Sequence, residues 1–264
     1  HPLSRQVQRH VLLVILVRHD SALRVQPYYA RSWSWSADAR TVTMALEPSL
    51  RWHDGTPTTA HDVVFTLLAA RDPRSGFPRA SDLATLDTAM AVDDSTVRLV
   101  FERPRRALPE ILVELPIVPR HLLEAVPIAD MRRAAYNLAP VGNGPFRFVD
   151  RVSGQRWTVA RNERFPESMG GPPRIRELVI AVVDEATTKF AGLAAGDLDF
   201  AGIAPTMAAL AGRDPMIEVM DYPVLFSTAL VYNTQRAPFD DPRVRRAVEL
   251  SINRPRIILA ALAG

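Results

Sequence analysis

A mixed α/β fold is predicted by three features of the 264-residue sequence. Short stretches alternate apolar and polar residues with the strand period of two, other stretches open on helix-capping residues, and a 47% hydrophobic content over this length can bury a real core. The 22 prolines against 12 glycines point to fixed turns rather than flexible linkers or disorder.

Taken along the chain, the first apolar run is "VLLVILV", Val11 to Val17, bounded by Arg9-His10 and Arg18-His19-Asp20. It is too short to span a bilayer and is followed by charge instead of a small-residue cleavage site, so it reads as a buried helix or strand. "TVTMALE" (Thr41 to Glu47) sets Val42, Met44 and Leu46 on one strand face, and "STVRLVFE" (Ser95 to Glu102) does the same with Val97, Leu99 and Phe101. A helical stretch around Arg120 to Asn137 ends in "LAPVGNGPF", where a domain boundary is placed. Strands follow at Phe146 to Val149, Arg156 to Ala160 and Glu177 to Val182, with the Pro- and Gly-rich "ESMGGPPR" between the last two as a surface loop. A helix from about Glu185 is stopped by Gly196, and a strand then runs through Leu198 and Phe200. Two more strands are predicted at Ile217 to Met220 and Ser227 to Tyr232. The last helix has Asp241 as N-cap, Pro242 at its first position, and Val244, Ala247, Val248, Ser251 and Ile252 on one face.

Composition excludes several classes of function. With no cysteine there are no disulfides, thiolate metal sites or cysteine nucleophiles. The net charge is only +3, yet the pI is about 9.7, because Lys189 is the sole lysine and the other cations are arginines. The arginine runs, Glu102 to Ala107 and Asp241 to Ala247, contain acids and prolines, so they read as solvated faces more readily than as a nucleic-acid footprint. No Gly-x-Ser-x-Gly and no phosphate-binding loop is present, and Gly142-x-Gly144 lacks a third glycine.

Two His-Asp dipeptides, His53-Asp54 and His61-Asp62, raise the possibility of a divalent metal site, since some metal-dependent hydrolases gather such pairs from several helices. The local grammar speaks against it. Asp54 runs into Gly55 and Pro57, which makes a turn, whereas Thr59-Ala60-His61-Asp62 has the form of a capping box that opens a helix. On that reading Asp62 is a cap, His61 is exposed, and Val63, Val64, Leu67 and Leu68 lie on the buried side.

In order along the chain, "ARSWSWSADARTVTMALEPSLRWHDGTPTTAHDVVF" (Ala30 to Phe65), "PVGNGPFRFV" (Pro140 to Val149), "LAAGDLDFAGI" (Leu193 to Ile203) and "YNTQRAPFDDPRVRRAVELSINR" (Tyr232 to Arg254) resemble four blocks of the extracellular solute-binding proteins of family 5, the peptide, oligopeptide and nickel receptors of ABC importers. Asn143 stands where that family usually has Thr, and Asn253 where Asp is usual. The resemblance implies a periplasmic-binding-protein-like II fold, with lobe I in part, an inserted domain, and the second ligand lobe absent. It divides the chain into residues 1–22 of lobe I, an inserted α/β domain at 23–138, and lobe I continued at 139–264. It also implies that the Trp-His-Asp-Gly block serves the fold, away from the cleft.

The function implied is capture of a solute, a peptide or oligopeptide first, between two lobes for delivery to permease subunits on the outer side of the cytoplasmic membrane. No enzyme activity and no cofactor is implied. The cleft-lining candidates are Leu3, Ser4 and Arg5, then Phe226, Ser227 and Thr228, ending near Asn233. Without a second lobe, apolar surface and a sheet edge should be exposed and favour self-association. Two rival readings stay open from the residues alone: a metal-dependent hydrolase using His53, Asp54, His61 and Asp62, and an arginine-rich nucleic-acid binder. Elemental analysis separates the first rival from a cap and turn: the purified protein should hold no stoichiometric metal that His53→Ala removes.

Overall fold

The computed structural model describes residues 7–220 and 229–262. The chain divides into two compact units, His1–Val182 and Val183–Gly264.

The first unit is built on antiparallel sheets. Strands β1 (Val17–His19) and β2 (Val25–Pro27) form a two-stranded ribbon. Strands β3 (Ala30–Trp35), β4 (Thr41–Leu46), β5 (Leu86–Asp93) and β6 (Thr96–Phe101) form a four-stranded sheet in the order β3-β4-β6-β5. The alternation expected in β4 and β6 is realised: Val42, Met44, Leu46, Val97, Leu99 and Phe101 are all buried on one face. Strands β7 (Phe146–Val152), β8 (Arg156–Arg161) and β9 (Glu177–Ala181) make a third sheet in sequence order, as their patterns predicted.

Helix α1 (Ala60–Arg71) packs on β5 and β6. Its buried stripe holds Val63 and Leu67 as expected, but Leu68 is exposed, and Thr66 is buried instead. The reason is hydrogen bonding: the Thr66 hydroxyl donates to the Asp62 carbonyl (2.8 Å) and accepts the Val118 amide (3.0 Å), which satisfies a polar side chain on an apolar face. The helix expected over Arg120 to Asn137 is only one turn, α2 (Arg120–Leu123), followed by two short 3₁₀ turns, because Pro127 interrupts it.

The apolar run Leu12–Val17 lies in the heart of this unit with every side chain at most 4% exposed. It is neither a helix nor a long strand. Beyond a single wide helical turn at Gln8–Leu12, it is irregular until β1. Its backbone groups are satisfied by separate loops: the Val14 carbonyl accepts the Ile117 amide (2.9 Å) and the Leu16 carbonyl accepts the Ala30 amide (2.8 Å).

The second unit is helical among the described residues: α3 (Ala186–Ala195), α4 (Pro205–Ala211), α5 (Pro242–Ser251) and α6 (Arg254–Leu262). The predicted caps are present. Gly196 ends α3 at φ 78°, and the Asp241 carboxylate accepts the Arg243 amide at the start of α5. The strands expected through Leu198 and Phe200 and at Ile217 to Met220 are irregular, as are residues 229–232 of the strand expected at Ser227 to Tyr232. The rest of that last strand lies outside the described residues. Phe200, Met216 and Val231 are each at least 75% exposed, so these segments have the composition of strands but no strand partner among the described residues.

The join between α1 and its surroundings is carried by one carboxylate. Asp62, 4% exposed, accepts the Thr59 amide (2.8 Å) as the capping box requires, and also Trp52 Nε1 (3.3 Å) and the Arg120 amide (2.9 Å). Asp62→Ala leaves these donors buried and unpartnered and is expected to destabilise the protein by about 3 kcal/mol. A urea midpoint that drops by less than about 1 kcal/mol equivalent would show that the three bonds do not act together.

Candidate functional site

The chemistry-bearing side chains of the first unit meet where three separate segments converge: the run from Leu12 to Val14, the turn Trp52–Gly55 and the loop Gly142–Gly144. The Leu12 carbonyl accepts both the Asn143 amide (3.0 Å) and the Gly144 amide (2.9 Å). Asn143 Oδ1 accepts the Val14 amide (3.0 Å). The approach is close enough to dictate residue type, since a Cβ at Gly142 would stand 1.8 Å from the Leu12 oxygen and one at Gly144 2.7 Å from the Leu12 carbonyl carbon.

His53 closes the arrangement. Its amide donates to the Gly142 carbonyl (2.7 Å), its Nδ1 accepts the Gly142 amide (3.2 Å), and its Nε2 lies 3.0 Å from the Gly144 carbonyl. A backbone N–H at Nδ1 and a carbonyl at Nε2 assign the neutral tautomer with its proton on Nε2. Burial, helped by the Arg147 charge and opposed by the Gly144 carbonyl and Asp54, holds the imidazole below its usual pKa. Both ring nitrogens are engaged, so neither can ligate a metal or take a substrate proton.

The other members of the two dipeptides do not join it. Asp54 pairs with His121 Nε2 (2.8 Å), a partner 67 residues away that local sequence gives no means of anticipating. Burial would raise the Asp54 pKa, but hydrogen bonds from His121 and Thr56 outweigh it and leave the carboxyl below the usual range. His61 is half exposed and stands 3.7 Å from Asp94, and both Asp62 oxygens already accept backbone amides. Among the described residues, no three His, Asp or Glu side chains gather as a metal site. The four residues of the two dipeptides do not converge: each is engaged by a different part of the fold. Three arginines of the two arginine runs are likewise engaged. Arg243 is held by Asp241 (2.7 Å), Arg245 by the carbonyls of Phe239 and Asp240, and Arg105 lies over Phe101 and donates to Thr85.

Of the cleft-lining candidates, Leu3, Ser4, Arg5, Phe226, Ser227 and Thr228 lie outside the described residues. Asn233 is exposed, and its Oδ1 accepts the Gln235 amide (3.1 Å) in a local turn. Sequence reasoning marks Asn143 only as a departure from a family block and gives Leu12 no role; the signal for their contact is the pair of glycines flanking a polar residue.

The model of bacterial extracellular solute-binding proteins, family 5 Middle, matches residues 24–264. An ABC transporter peptide-binding protein of Brucella ovis is 27% identical over 251 residues, covering 95% of this chain and 47% of the relative. Heme-binding protein A of Haemophilus influenzae is 28% identical, with 91% and 47% covered. The oligopeptide-binding protein AppA of Bacillus subtilis, solved in complex with a nonapeptide, superposes with a TM-score of 0.85 at 26% identity, covering 97% of this chain and 50% of that one. The chain therefore spans about half the length of the relatives it matches.

The neutral His53 links this junction to pH. Its folded pKa lies below the unfolded value of 6.5, so as pH falls the unfolded chain takes the proton first; stability is whole above 6.5 and declines below it. Denaturant midpoints should fall between pH 6.5 and 5, and His53→Asn should flatten that decline while lowering the midpoint at pH 7.5. An undiminished decline in the variant would assign it to another group.

Proposed function

The chain belongs to family 5 of the bacterial extracellular solute-binding proteins, and from that premise we propose that it forms part of the receptor of an ABC importer that captures a peptide or oligopeptide. The observation that carries this reading is the superposition on an oligopeptide-binding protein solved with a nonapeptide, together with a peptide-binding relative in Brucella ovis.

Capture requires two lobes that both touch the ligand, since only a ligand with different affinities for the open and closed forms shifts their balance. A peptide main chain would be held as an added strand by cleft backbone groups, with affinity from hydrogen bonds and little side-chain selectivity. Leu3, Ser4, Arg5, Phe226, Ser227, Thr228 and Asn233 are the residues proposed to line this chain's share of the cleft. Residues 1–22 and 139–264 are assigned to one lobe and 23–138 to an inserted domain. In support, the segment before the insertion is hydrogen-bonded to the segment after it, through Leu12 and Val14 to Asn143 and Gly144. The partners are permease subunits and the place of action is outside the cytoplasmic membrane.

The protein expressed from its unmodified gene should melt roughly 5 °C higher in a peptide at about 100 times its Kd. A melting point unmoved by peptide libraries but raised by a heme or nickel complex would replace the peptide; one unmoved by any of them would defeat the receptor reading.

A further inference from the structure

A recess of the first unit has the size of a small-molecule site; it shares only Leu13 with the junction segments and no residue with the proposed cleft. It encloses about 360 Å³, within the roughly 300–1,000 Å³ usual for such sites. Its floor is apolar: Leu13, Ile15 and Val113 are each 4% exposed. One wall is the half-buried ring of Tyr28, whose phenol is held above its usual pKa by burial, so it stays a neutral apolar surface with one polar tip.

The rim is cationic, and its charges are not equally balanced. Arg9 is fixed by the Val113 carbonyl (3.0 Å) and stands 3.5 Å from Glu114, which is also bonded by Arg79. His19 stands 3.7 Å from Glu110, and His10 completes the rim. Arg18 differs. Its guanidinium lies over the Tyr28 ring, 5.2 Å from the centroid, and no carboxylate among the described residues pairs with it. Asp20, the acid nearest in sequence, is engaged by Arg24, Gln26 and the Ala22 amide. The contact with Tyr28 holds a permanent cation at the mouth of the recess.

We propose that this recess binds a small organic monocarboxylate, its compact apolar body on Leu13, Ile15 and Val113 and its carboxylate on Arg18. An apolar floor under one unneutralised guanidinium matches one negative end on one apolar body. A doubly charged or wholly polar anion would leave either a charge or the floor unmatched. Because every lining residue belongs to the first unit, this binding does not depend on a second lobe and would survive failure of the peptide reading.

The probe is 3-phenylpropanoate, titrated into the full 264-residue chain and followed by amide chemical shifts, with 3-phenylpropanamide as its uncharged counterpart. The acid should bind about tenfold more tightly than the amide, with the largest shifts at Leu13, Ile15 and Arg18. Arg18→Gln should remove that tenfold advantage while leaving the amide's weak binding unchanged, which also reports that the recess is intact. Arg18→Lys, which keeps the charge, should lose less. Equal binding of acid and amide, an unaltered preference in Arg18→Gln, or shifts clustered elsewhere would each overturn the assignment.

Discussion

One backbone carbonyl organises the first unit. The Leu12 oxygen takes two amide protons from the loop at 142–144, at a distance that only glycine on either side of Asn143 permits. Everything near it follows from that closeness. The buried run from Leu12 to Val17 cannot form a long ladder there, because its donors and acceptors are answered one by one from residues 30, 117, 143 and 144. His53 must be neutral, because the proton-accepting side of its ring faces a backbone N–H. The Trp-His-Asp-Gly block is therefore a structural fastening: His53 reaches the loop, Asp54 reaches His121, and Trp52 reaches Asp62.

What the sequence made legible divides along the range of the interactions. Strands β4 and β6, the caps at Thr59 and Asp241 and the stop at Gly196 are written within a few residues of where they act. The buried Thr66, the Asp54–His121 pair and the Leu12 junction are not, because their partners lie 52, 67 and about 130 residues away. The helix expected between Arg120 and Asn137 is one turn followed by 3₁₀ segments, because Pro127 interrupts it. Arg103, Arg106, Arg243 and Arg246 are exposed, and the acid that pairs with Arg243 is visible in the sequence itself. The proposed cleft residues were reached only through family resemblance, and no local chemistry marks them.

The two units differ in how far their own residues complete them. The hydrophobic core runs through the first and is closed by it, with Trp52, Tyr29 and Met44 among the fully covered side chains. In the second, only Ala211 among the described apolar residues is fully buried, and its helices carry Leu250, Ile257 and Leu259 largely in the open. On the proposed receptor reading, surface that must meet another lobe or a ligand cannot also be sealed within its own unit.

Asn143 leaves its Nδ2 buried without a protein partner while its Oδ1 holds Val14. That bond has a consequence for the order in which the chain is made. Val14 and Asn143 are 129 residues apart, and at roughly 5–20 residues per second a ribosome needs about 6–26 s to deliver the second after the first. For that interval the most apolar run of the chain is outside the ribosome without the loop that fastens it.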